Sequence, residues 1–298
     1  MFKQVVVGSD GSAEASDAVV LGAELATATG AELHLLGVFS PPLFHVNDRQ
    51  RLQNLFESAL NEQRDRFAPT ATVQVLRNAS HTRALIHFSQ GVNADVIVVG
   101  SSPKAPAGRC AIGRHARQLL HDGSHAVAIA KRGLHEPNRR LHSIGVGYDG
   151  GPESKAAVEF AAQLSSRMGS ELRVLTVVEE TFPVLGATEW MTVDWESLHE
   201  QQREEALARA SGITAELSCG AGISVAVGDP GLELRKWSDT VDLTVVGSRR
   251  WGAIARLVSG SVGETLVAGA GSSVLIVPRP DSDKQRRHRT PSAEHTLA

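Results

Sequence analysis

The chain repeats itself, and that limits its folds more than any other feature. Residues 5–38, VVVGSDGSAEASDAVVLGAELATATGAELHLLGV, align without a gap to residues 144–177, IGVGYDGGPESKAAVEFAAQLSSRMGSELRVLTV. About fourteen of the thirty-four pairs are identical, well beyond chance for an ungapped window. Gly8 pairs with Gly147, Asp10 with Asp149, Gly11 with Gly150 and Glu14 with Glu153. At a slightly larger offset, DVIVVGS (95–101) matches DLTVVGS (242–248) and VAIA (127–130) matches VLIV (274–277). The extra length of copy two falls near residues 182–200. A whole domain is duplicated, and 298 residues suit two domains better than one large core.

Within each copy, strand and helix patterns alternate. Val5–Val7 and Ile144–Val146 are short and apolar, as strands buried on both faces are. Ser12–Thr29 and Pro152–Met168 carry apolar residues at helical spacing and stop at Gly30 and Gly169, each suited to a left-handed cap. Further strands are predicted at Glu32–Val38, Val73–Leu76, Val96–Val99 and Val127–Ala130, with helices near 47–67 and 82–91. In copy two the strands fall at Glu171–Val178, Ser224–Val227, Leu243–Val246 and Val274–Val277, with helices near 194–211 and 230–239. Such alternation implies right-handed crossovers and an α/β fold: two tandem doubly wound, five-stranded parallel sheets of Rossmann-like type. The first domain spans 1–131 and the second 142–279. The linker 131–142, KRGLHEPNRRLH, is polar and reads as the boundary, and the aperiodic tail 280–298 is expected to be disordered.

Composition removes several classes. A net charge of -3 argues against nucleic acid as a partner. Cys110 and Cys219 stand in separate copies, which excludes a disulfide framework and a cysteine-based zinc site. The twelve histidines form no metal-ligand spacing. No apolar run approaches membrane-spanning length, and Met1-Phe2-Lys3-Gln4 leads within a few residues into a strand without a signal-peptide core. The expected location is cytoplasmic, with no membrane partner.

In open α/β sheets, ligands sit beyond the carboxyl ends of the strands. Three segments of copy two reach that place: Asp149 after strand one, Gly228-Asp229-Pro230 after strand three, and the loop from Gly247 through Arg249, Arg250 and Trp251 to Gly260 and Ser261. Glycine lets backbone amides approach a phosphate, and Gly260-Ser261 opens a helix whose free N–H groups face an anion. Asp149 can accept from a ribose or an adenine amine, and Arg249 and Arg250 can complement phosphate charge or form a solvated loop. Asp10 and Asp149 also have a plainer role open to them, ending their strands in Asx turns.

These segments resemble the universal stress protein family over nearly the whole chain. The family carries G-D-P after strand three and G-x2-G-x9-G-S/T after strand four. Copy two supplies Gly247, Gly260 and Ser261 in register but has Arg250 at the second glycine. Copy one keeps Gly100 and Gly113 in register, with Pro103 at the second glycine, Arg114 for the terminal Ser/Thr and His81-Thr82-Arg83 where G-D-P is expected. Arg114 can occupy the phosphate position itself, and copy one reads as the degenerate partner.

The resemblance implies an adenine nucleotide as ligand, ATP with or without magnesium, its base against the end of strand two near Val178. It also implies strand order 3-2-1-4-5, pairing of the two fifth strands within the chain, and a further homodimer. A regulatory role follows, with ATP occupancy altering a surface for a protein partner that the sequence does not name. No P-loop, nucleophile elbow or metal-spaced carboxylate pair is present, so ATP hydrolysis is expected to be slow and incidental at most. The alternative is a structural or interaction scaffold that binds no nucleotide. A dinucleotide oxidoreductase ranks third, since no G-x-G-x-x-G follows strand one.

Overall fold

The computed structural model describes residues 1–40, 49–136, 141–179, 195–248 and 262–278. Copy one contains β1 (Gln4–Ser9), α1 (Ala13–Thr29), β2 (Glu32–Phe39), α2 (Arg49–Phe67), β3 (Thr72–Arg77), α3 (His81–Gly91), β4 (Val96–Gly100), α4 (Arg114–Asp122) and β5 (Ala126–Ala130). Copy two contains β6 (Ser143–Gly147), α5 (Pro152–Met168), β7 (Glu171–Val178), α6 (Trp195–Glu216), β8 (Ala221–Val227), α7 (Pro230–Trp237), β9 (Leu243–Gly247), α8 (Val262–Val267) and β10 (Ser273–Val277). A 3₁₀ turn, Ser238–Thr240, follows α7. The predicted helices and strands are present, with α6 running five residues past its expected end at 211. The tail 280–298 lies outside the described residues, as does much of the extra segment of copy two.

Each copy has the expected 3-2-1-4-5 order with parallel pairing, and the two fifth strands pair within the chain as expected, so the two sheets are one. The strands form a single ten-stranded sheet ordered β3-β2-β1-β4-β5-β10-β9-β6-β7-β8. Among the described residues its antiparallel strand pairing is β5 with β10, where Leu275 faces Ala128, Val274 faces Ile129 and Ile276 faces Val127. Joining the fifth strands removes two edges that would otherwise expose unpaired backbone groups.

Alternation along the strands explains why both faces are apolar. Val5 and Val7 enter one core while Val6 enters the other. Val96 and Val98 likewise part from Ile97 and Val99. The first core lies under α1, α2, α5 and α6, and the second under α3, α4, α7 and α8. Both cores run through the two copies without a break, so the sheet is doubly wound along its whole width.

Two aspartates repeat a second device. The carboxylate of Asp95, just before β4, accepts from the N–H groups of Lys3 (2.5 Å) and Gln4 (2.9 Å) at the start of β1. Asp242 does the same for His142 (3.1 Å) and Ser143 (3.0 Å) ahead of β6. Each ties the amino ends of neighbouring strands, and so helps to set where their carboxyl ends fall.

The linker departs from its sequence reading as a polar boundary. Leu134 and Leu141 are 2% and 3% exposed and belong to the first core. Asp17 on α1, 1% exposed, accepts from the N–H of Gly133 (2.9 Å) and of His135 (2.7 Å) and meets His135 Nδ1 at 2.6 Å. Copy two has Ala156 at the place of Asp17. The described part of the linker is therefore fastened to copy one by a buried carboxylate with no counterpart in copy two.

Candidate functional site

The carboxyl ends of four adjacent parallel strands bring the predicted residues of each copy to one side of the sheet. In copy two these are Gly247 at the end of β9, Asp149 after β6, Val178 at the end of β7 and Gly228 after β8. Arg249, Arg250, Trp251, Gly260 and Ser261 lie outside the described residues. In copy one, Asp10, Gly100 and Gly113 line one cleft of 440 Å³. Its floor is apolar, from Leu36, Val38, Leu85 and Val99, its lining includes the buried Ser9, and its rim carries Ser12, Ser102, His81, Arg114 and His115. That volume lies within the range of about 300–1,000 Å³ usual for small-molecule sites.

Asp10 and Asp149 take the Asx-turn role the sequence left open, and the first signature glycine has a packing role that the motif does not suggest. Asp149 Oδ1 accepts from the Gly151 N–H (2.8 Å) and the Ser154 hydroxyl (2.7 Å), and Asp10 Oδ1 accepts from the Ser12 N–H (3.0 Å). Both are Asx turns that start the following helix, with Gly11 (φ +82°) and Gly150 (φ +84°) supplying the left-handed residue. A Cβ on Gly100 would stand 2.3 Å from the Glu14 carbonyl oxygen, and one on Gly247 would stand 2.3 Å from that of Glu153. The first signature glycine is thus required by contact between strand and helix, a constraint that holds with or without a ligand. Gly113 differs. A Cβ there would make only ordinary contact, with Ser102 Cα at 3.8 Å, and Gly113 caps α4 without a side-chain bond, so packing does not require glycine at this place.

Gly228-Asp229-Pro230 is a strand exit followed by a helix start. Gly228 adopts φ +141° and donates its N–H to the Val178 carbonyl (3.0 Å). Asp229 caps α7 by accepting from the Leu232 N–H (2.8 Å), and Pro230 takes the first helical position. Val178 therefore offers a carbonyl with one acceptor site already used.

The counterpart in copy one is not His81-Thr82-Arg83, contrary to the register expected from the sequence. Asn78 donates its N–H to Phe39 as Gly228 does to Val178, Ser80 is the N-cap, and His81 stands where Pro230 stands. Leu85 and Leu234 confirm the match, since they pack against Gly8 and Gly147 respectively. One extra residue between β3 and α3 had hidden it.

Ser101, which was not singled out, closes the strand-four loop of copy one. Its hydroxyl accepts from the Ala111 N–H (2.6 Å) and donates to the Ala111 carbonyl (3.1 Å). The shared G-S after each fourth strand was the available signal. Its counterpart Ser248 has a buried hydroxyl with no hydrogen-bond partner among the described residues. The same loop is stitched to copy two: the Cys110 N–H donates to Ala270 (2.7 Å) and the Ile112 N–H to Val267 (2.9 Å). Burial pushes the Cys110 thiol up to about 12, against a smaller opposing effect of the Ser101 hydrogen bond. Among the described residues no group of three or more His, Cys, Asp or Glu could hold a metal ion, and no helix is long and apolar enough to cross a membrane.

The sequence model of the universal stress protein family matches the chain twice, over residues 1–131 and 141–278. The chain belongs to the universal stress protein family. A universal stress protein of Mycolicibacterium smegmatis is 26% identical over 92% of this chain and 96% of its own length. One from Mycobacterium tuberculosis is 25% identical over 93% and 97%. Among solved structures, a universal stress protein from Archaeoglobus fulgidus superposes with a TM-score of 0.65 at 19% identity, covering 93% of this chain and 98% of that one. The tandem arrangement and the Rossmann-like fold are thus those of universal stress proteins.

Proposed function

We propose that this universal stress protein is a regulatory adenine-nucleotide-binding protein without strong catalytic activity, and that copy two is its main ATP site. The observation that carries this reading is the formed cleft of copy one. There, the topology that both copies share opens 440 Å³ between an apolar floor and a polar mouth, room for a base and an anion. Copy two places Asp149, Val178, Gly228 and Gly247 around the matching strand ends and keeps Gly260 and Ser261 where copy one has Gly113 and Arg114. A hydroxyl at a helix start adds a donor for phosphate, with magnesium as an optional counterion. The backbone bonds from the strand-four loop of copy one into copy two give such a site a route to the opposite copy, and a regulatory output would use it.

A scaffold that binds no nucleotide is the second reading, favoured by a specific observation. Gly100, Gly247, Asp10 and Asp149 all have structural roles that need no ligand. Thermal unfolding with and without Mg-ATP separates the two. The proposal expects a raised midpoint in the native chain and a smaller rise in Ser261→Ala. No rise in the native chain would favour the scaffold.

A further inference from the structure

Copy one carries charge chemistry that copy two lacks. His81 at the first position of α3, and Arg114 and His115 at the start of α4, line one wall of its cleft. Copy two has Pro230, Ser261 and Val262 at these places. The two imidazoles face each other at the mouth, ring centroids 5.8 Å apart and planes inclined by 56°. Thr82 Oγ1 donates to Gln118 Oε1 (2.7 Å) and lies 2.8 Å from His115 Nδ1. With its single proton given to Gln118, the hydroxyl accepts from His115 Nδ1–H. Nε2 is then the atom of His115 that gains a proton.

The opposite wall carries two carboxylates. Glu14 is held by Arg132 at 3.4 Å, and Asp10 accepts from the Ser12 N–H. The lining from β2 and from the strand-four loop has no charge: Leu36, Val38, Ser101, Ser102 and Pro103. Arg114 makes no ion pair among the described residues. Although His115 stands exposed at the rim, partial desolvation, then the neighbouring His81 and Arg114, hold it below its ordinary range, while Asp10 pulls the other way. An anion between these groups would reverse the balance, since it turns mutual repulsion into shared attraction.

We propose that the copy-one cleft takes a small phosphate or sulfate monoester with an apolar body, and that protonation of His115, beside His81 at the rim, admits it. The apolar floor receives the body, Arg114 supplies a permanent positive charge, and His115 adds its own as pH falls. This rests on the same premise as the proposed function, that the strand-end crevice takes a ligand, but it concerns the other copy. Affinity should rise with falling pH, by up to about tenfold per pH unit for each proton taken up on binding.

Phenyl sulfate is the probe, because its charge stays fixed across the histidine range. Its binding to the full chain is measured by calorimetry at about pH 5.5 and about pH 8, with histidine ring proton shifts followed by NMR. The expected result is binding about tenfold or more tighter at the lower pH. That gain should vanish in the folded double variant His81→Gln/His115→Gln, and the ligand should raise the titration midpoint of His115 in the native chain. Equal affinity at both pH values, no binding at either, or a gain that survives in the double variant would overturn the inference. ATP binding is measured on the same preparations, with Asp149→Ala for copy two. ATP bound without phenyl sulfate sinks this inference alone, and phenyl sulfate bound without ATP sinks only the proposed function.

Discussion

Ala128 on β5 and Leu275 on β10 face each other across the antiparallel seam, and they hold the same place in their respective copies. A pseudo-two-fold axis passes between them. Arg117 and Glu264, again equivalent positions, form an ion pair across it at 3.2 Å. The duplicated halves are therefore joined through their own repeat.

Because both cores continue across the seam, the chain should unfold as one unit. Leu275 is fully buried, and Leu275→Ala should cost about 2–5 kcal/mol. Calorimetry should give a single transition for the native chain. Two separate transitions would mean that the copies fold independently.

Asp17 holds the linker with three polar contacts while almost wholly buried. Asp17→Ala strands those donors and should lower stability by about 1–3 kcal/mol, read by urea unfolding. Proteolysis within 131–142 should quicken. The native rate of cleavage in the variant would contradict this role for the carboxylate.

His115 gives a pH dependence whose sign is fixed. Its folded-state value is lowered, so between that value and the ordinary one the unfolded chain binds more protons than the folded chain. This contribution is fully present above the ordinary value and is lost as pH falls through the window below it. His115→Gln should therefore flatten the acid side of the stability curve below about pH 6.5. A curve unchanged by the substitution would contradict the assignment.

Cys110 is fully buried beside the Cys110–Ala270 bridge, with its thiol held in the neutral form, whereas Cys219 is part-exposed. A thiol reagent at neutral pH should modify Cys219 in the folded chain and Cys110 only after unfolding. Rapid labelling of Cys110 under native conditions would mean that the contact between the copies opens readily.

Much of this was legible in sequence because the repeat gave two readings of every element. Apolar runs such as Val5–Val7 located the buried strands, and Gly30 and Gly169 marked helix ends that adopt φ +70° and +65°. What the motif could not reveal was why its residues are there. Gly247 looks the same in sequence whether it makes room for a phosphate or for the Glu153 carbonyl. The copy-one match to G-D-P was lost because the link from β3 to α3 has one extra residue and shares no identity with Gly228-Asp229. The fastened linker had one faint signal, an acidic Asp17 on a helix whose copy-two equivalent has Ala156.

Nucleotide content separates an ATP-binding protein from an empty scaffold. Freshly purified native chain and Asp149→Ala, matched for folding, are denatured and the supernatants resolved by anion-exchange chromatography. About one ATP per chain is expected in the native protein, with a large loss in the variant, as one-site occupancy requires. An empty native protein that also fails to bind added ATP would contradict it and leave the scaffold reading.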